Sequence, residues 1–345
     1  MMSADRPAAA DDLTADGRAS ARLAVLAAAL DGDAGAAYHF LSGLLGEGVS
    51  FEEILFEILA PLEGEVGRRW HEGDLSISEE HLVTSTLETV VSLLAGSFDL
   101  PPDAPRLVVA CPEGEAHSLP ARMIWAYLVY RGRRAAFLGP GYPAVDLGGF
   151  LRAQRPAALL LSGTVAAALP GARAAVREAH ASGIPVLAGG AAFGPDGGRA
   201  RALGADAWAA HPTEIETTLN TWRPDPAAAE AAVTARAPGL EWDLPADGRR
   251  RVVAAALAGL GAAPAAAGWE GPGVTAALEA LFDAAAAALL VDDPALLAEF
   301  IRWQRELAGY SGKGDITPDL IAALTAALHE VSPVAARLLA GAAAG

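Results

Sequence analysis

The sequence predicts an α/β sheet domain set between two all-α segments, and three observations predict it. Between about 20 and 98, apolar residues recur at three- and four-residue steps, the period of helices with one buried face. From about 105 to 212, short apolar runs of strand length alternate with helical stretches, as in a parallel sheet with helices on its faces. After Pro224 the composition shifts to alanine-rich helical stretches with glycine and proline at the breaks.

Composition bounds what such a chain can be. At 345 residues, 52% hydrophobic and 19% charged, it has material for two or three domains with their own cores. No run of roughly 18 uninterrupted apolar residues occurs, so no membrane span is expected. Residues 1–19 read as a disordered tail rather than a signal peptide, and the expected location is cytoplasmic. The single cysteine, Cys111, excludes an internal disulfide and a thiolate metal cluster. A net charge of -17 argues against duplex DNA as a partner, because its phosphates would be repelled. Small molecules and protein are the expected partners.

The first segment, 20–98, predicts a four-helix bundle with helices over 21–30, 34–46, 51–70 and 81–98. A polar break, Trp70-His71-Glu-Gly-Asp-Leu-Ser-Ile-Ser-Glu-Glu80-His81, separates the last two, with Ser78 as a plausible cap. The sheet domain, 105–212, predicts strands at Leu107 to Cys111, Arg134 to Leu138, Ala157 to Leu161, Ile184 to Leu187 and Ala207-Trp208. The helices between them run from Ala121, Ala144, Pro170 and Ala200. Five such units make a flavodoxin-like doubly wound sheet, whose ligands lie at the carboxyl ends of the strands. Three loops fall there: Glu115-Ala-His117-Ser118-Leu-Pro120, Ser162-Gly-Thr164 and Gly189-Gly190. The third domain, 225–345, predicts helices over 225–236, 246–260, 273–290, 294–308 and 318–339. It shows no basic helix-turn-helix, kinase or cyclase motif.

Those three loops resemble the motifs of cobalamin-binding domains. Glu115-x-His117-x-x matches the Glu-x-His-x-x-Gly variant of Asp-x-His-x-x-Gly, with Pro120 standing where glycine is usual. The resemblance implies a cobalamin-binding Rossmann-like domain in which His117 ligates cobalt from below. It also implies that Ser118, Ser162, Thr164, Gly189 and Gly190 leave room for the nucleotide tail. In the bundle, Trp70 is followed after nine residues by Glu80-His81, which resembles the signature of CarH-like adenosylcobalamin-dependent photoreceptors. An indole can cover the upper face of the corrin, and a carboxylate can accept hydrogen bonds from ribose hydroxyls. The same resemblance implies that His71 ligates cobalt after light has expelled the adenosyl group.

The run Leu296 to Leu307, with Ile316 to Leu328, resembles the globin-like helical domain of photocobilins, which hold biliverdin beside a cobalamin module. That implies a noncovalent bilin site using Arg302, Trp303, Tyr310 and His329, with Arg305, Lys313 and Arg337 as further propionate partners. Haem is disfavoured, since His329 is the only histidine in the domain. The expected function is a non-enzymatic light sensor, likewise homo-oligomeric, signalling to an unknown downstream protein. The alternatives are a methyl-carrying corrinoid protein of a methyltransferase system and a cobalamin store. A mutase is disfavoured because the additional barrel it needs is absent from the sequence.

Overall fold

The computed structural model describes residues 13–99, 104–222, 248–310 and 313–343. The described residues fall into two compact units. One takes in Met1–Cys111, Ala116–Gly141 and Leu151–Ser162, the other Pro112–Glu115, Tyr142–Phe150 and Gly163–Gly345.

The first unit opens with α1 (Ala15–Leu30), capped by the Thr14 hydroxyl on Gly17 N–H. The helix therefore starts inside the stretch expected to be a tail. It is followed by α2 (Ala34–Gly46), which starts at Asp33 through a side-chain bond to Ala36 N–H. The third helix, α3, is one continuous run in three parts: α-helical Phe51–Glu53, π-helical Ile54–Leu59 and α-helical Ala60–Glu72. Pro61 ends the wide segment. It has no N–H to give to the Glu57 carbonyl four residues back, and that carbonyl accepts instead from Arg22 Nη1 at 3.1 Å.

The fourth helix, α4, spans Ile77–Ala95 and begins four residues before the expected start. Its cap is Ser76 and not Ser78. The Ser76 hydroxyl accepts from Glu79 N–H while the Glu79 carboxylate accepts from Ser76 N–H, a reciprocal box that only Ser76 can close with an acid three residues on. These helices share one core, in which Phe51, Leu55, Leu59, Leu62 and Val66 of α3 meet Val83, Leu87, Val90 and Leu94 of α4. The same core takes in Leu119, Met123 and Tyr127 of α5 (Leu119–Tyr130). Phe51 sits at its centre, its ring 5.0 Å from Phe98 and 5.3 Å from Tyr130.

The five strands are β1 (Arg106–Ala110), β2 (Arg134–Gly139), β3 (Ala158–Ser162), β4 (Val186–Gly189) and β5 (Ala207–Ala209), in the order β2-β1-β3-β4-β5. Strand β1 runs parallel to β2 and β3, and β4 parallel to β5. The connecting helices are α6 (Ala144–Gln154), α7 (Leu169–Ala181) and α8 (Gly198–Ala202), with α9 (Glu214–Thr221) following β5. That last helix continues past the expected boundary at 212. This order is the doubly wound topology the alternating pattern predicts.

The remaining helices of the second unit are α10 (Gly248–Leu260), α11 (Ala263–Ala266), α12 (Gly271–Leu290), α13 (Pro294–Tyr310), α14 (Thr317–Leu328) and α15 (Pro333–Ala343). The helix expected over 225–236 lies outside the described residues. The single helix expected over 318–339 is two, because Pro333 cannot continue the ladder of α14; Ser332 caps the new helix, accepting Ala336 N–H at its carbonyl. Helix α12 is long and apolar enough to cross a membrane by length and composition, yet most of it is buried among α10, α13, α14 and α15 and against α7. Within the same unit it also packs on the 3-10 turn Ala166–Ala168, which follows the Ser162-Gly-Thr164 loop.

Candidate functional site: a carboxylate-lined bundle face and a glycine cradle

Trp70 and His71 end α3, both half-buried. The chain then reverses at Gly73, whose φ of 85° lies in the left-handed region, and Asp74 and Leu75 N–H both return to the Arg69 carbonyl. This tight connection, closed by the Ser76 cap, brings Glu80 and His81 into the first turns of α4. The Glu80 side chain is 18% exposed and His81 74%. Each Glu80 oxygen has a partner: Thr84 Oγ1 at 3.2 Å from Oε1 and His81 Nδ1 at 2.5 Å from Oε2.

Sequence reasoning missed the group that ties this face together. Thr84 also donates to Glu63 Oε1 at 3.1 Å, and Glu63 Oε2 is buried without a hydrogen-bond partner. Burial pushes the Glu63 carboxyl above the ordinary carboxylate range; the Thr84 hydrogen bond opposes this, the Glu80 charge adds to it, His117 opposes it and Glu88 adds to it. Thr84 thus joins Glu63 of α3 to Glu80 of α4. The available signal was helical spacing: Glu63 stands seven residues before Trp70 and Thr84 four after Glu80, the same face in each case.

His117 is exposed, in the loop between β1 and α5. Its neighbour Ser118 is buried and donates its hydroxyl to Glu88 on α4, while Arg122, one turn on, donates to Ser92 Oγ at 2.9 Å. The imidazole-bearing loop is thus fastened to the helix that carries Glu80.

The second unit holds a separate arrangement. Glu115, 2% exposed, accepts Thr164 N–H at 2.6 Å and Val165 N–H at 3.0 Å on one oxygen, Oε2. Gly163 N–H donates to the Gly189 carbonyl at 3.1 Å, and Ala192 N–H to the Gly163 carbonyl at 3.1 Å. Gly190 has φ of 95°, and a Cβ there would lie 2.4 Å from the Gly163 oxygen. Thr164, Gly189 and Gly190 are therefore brought together, and Ser162, half-buried, ends β3 two residues before Thr164. The two loops can approach this closely only because residue 190 is glycine.

The bilin candidates are not brought together. Arg302, Trp303 and Tyr310 face outward from α13, whose buried residues are Leu296, Leu297, Ile301, Gln304 and Ala308. Trp303 packs beside Phe300 at 5.8 Å. His329 instead lines a cavity of about 840 Å³ together with Arg305, Pro318, Ile321, Thr325 and Glu330. Thr325 Oγ1 is buried there without a hydrogen-bond partner. Lys313 stacks over Trp269 at 4.8 Å and so is engaged away from that cavity's lining, which does not include Arg337.

Residues 23–95 match the family model described as a B12 binding domain. Among curated proteins the chain is 37% identical over 142 residues to the HTH-type transcriptional repressor CarH of Myxococcus xanthus, covering 39% of this chain and 46% of that one. It is 30% identical over 104 residues to the HTH-type transcriptional repressor CarA of the same organism, covering 30% and 34%. The chain thus spans less than half the length of these relatives. Both are named as transcriptional repressors, which the charge-based expectation of no nucleic-acid partner does not directly match. A solved structure, the monomethylamine corrinoid protein of Methanosarcina barkeri, aligns over 61% of this chain and 95% of its own with a TM-score of 0.46 and 16% identity. Residues 23–95 therefore carry a B12 binding domain, and over the aligned 142 residues the chain is CarH-like.

Proposed function

We propose that this chain is a light sensor that binds adenosylcobalamin, which His117, Trp70 and Glu80 would hold. The observation that carries the reading is the chain of hydrogen bonds within one unit that ties Glu80 to Glu63 through Thr84 and fastens the His117 loop, through Ser118, to Glu88 on the helix that carries Glu80. The match of the bundle to a B12 binding domain and the likeness to CarH support it. When bound, adenosylcobalamin supplies a cobalt–carbon bond that light breaks.

The residues have separate tasks. His117 would give cobalt a ring nitrogen, with its loop held by Ser118 on Glu88. Trp70 covers apolar surface above the corrin, and Glu80 accepts ribose hydroxyls. Glu115 orders the Thr164 turn, and Gly189 and Gly190 admit the nucleotide tail beside it. His71, which follows Trp70 directly, would supply a further imidazole ligand for cobalt. The chain assembles with copies of itself and signals to a protein partner, without enzymatic turnover. In the globin-like reading of the third domain, the cavity at Arg305 and His329 holds biliverdin noncovalently; its volume and the cationic Arg305 support that placement.

Trp70→Ala tests the reading. It weakens adenosylcobalamin more than methylcobalamin, measured by dark titration, because only the former offers adenine and ribose to the bundle. Equal losses for both ligands would favour the methyl-carrier alternative.

A further inference from the structure

Thr84 lies one turn beyond Glu80 on α4, and its hydroxyl reaches two carboxylates, Glu80 Oε1 at 3.2 Å and Glu63 Oε1 at 3.1 Å. A hydroxyl has one proton to give, so these two oxygens share it. Glu63 comes from α3 and is half-buried, so its oxygen restrains the Thr84 rotamer. The other Glu80 oxygen meets His81, whose ring is largely in water and therefore a weak anchor. On an otherwise unrestrained helix surface a glutamate samples many rotamers, and ordering it on binding costs entropy. The Thr84 bond meets that cost before any ligand arrives. It leaves free lone pairs on both Glu80 oxygens, as adjacent hydroxyls of a sugar require.

We infer that Thr84 is a positioning residue that holds Glu80 in place for a ribose diol, and so sets the preference for an adenosyl over a methyl upper group. The inference rests on the adenosylcobalamin reading above.

The test uses the full chain in the dark and the ratio of dissociation constants for methylcobalamin and adenosylcobalamin. Thr84→Val, nearly isosteric, lowers the wild-type ratio by about 2- to 10-fold, the worth of one hydrogen bond, and leaves methylcobalamin affinity unchanged. Thr84→Ser restores the ratio by returning the hydroxyl. A Thr84→Val ratio equal to wild type, with Glu80→Ala still lowering it, overturns the inference and leaves the adenosylcobalamin reading standing. A ratio unaltered even by Glu80→Ala overturns both.

Discussion

The Gly190 backbone passes so near the Gly163 carbonyl that a single added methyl would lie 2.4 Å from its oxygen. Neither residue carries a side chain, and the two loops meet there backbone to backbone. Gly190→Ala combines this clash with a left-handed backbone at φ of 95°. It costs at least about 2 kcal/mol of stability and weakens cobalamin binding, readable by urea unfolding and by cofactor titration. Unchanged stability would mean that the two loops are not held at this distance.

Glu115 supports the cradle from below by accepting two backbone N–H groups on one oxygen. Glu115→Ala leaves both half-buried donors without that acceptor and lowers stability by about 1–3 kcal/mol. Urea midpoints of the two proteins measure this. A change within about 0.5 kcal/mol would show that water replaces the carboxylate there.

Glu63 makes stability depend on pH. Burial raises its folded pKa, so the unfolded chain gives up its proton first as pH rises. Stability from this group is complete below the ordinary carboxylate range and is lost as pH climbs through the raised folded value. Glu63→Gln cannot ionise, so its stability relative to wild type grows across that window. Unfolding curves at a series of pH values would show a growing difference, and a difference constant with pH would contradict it.

How much of this was legible depends on whether the signal was local. His117 could be read because strand, loop and helix are adjacent in sequence, and the same adjacency located Thr164 and Gly190 at strand ends. Ser76 was passed over for Ser78, although the acid at Glu79 marks the reciprocal box, because Ser78 stands nearer the apolar run. The break before Pro333 was also written in the sequence. By contrast, the Glu63–Thr84 and Ser118–Glu88 contacts join residues 21 and 30 positions apart. Glu63, Thr84 and Glu88 look like ordinary solvated helix residues until the helices are packed. Aromatic and cationic content suggested Arg302, Trp303 and Tyr310 in the third domain, but the helical phase of α13 turns them outward and leaves Arg305 to line the cavity.

The central claim is that His117 holds cobalt while the bundle holds a light-labile upper group. It is tested most directly by one measurement, the absorption spectrum of the chain loaded with adenosylcobalamin, recorded in the dark and after illumination for wild type and His117→Ala. The account predicts a histidine-ligated dark spectrum that changes on illumination in wild type, and weak loading without that ligation in His117→Ala. Equal loading and the same dark spectrum in both proteins, or a wild-type spectrum that light leaves unaltered, would contradict it.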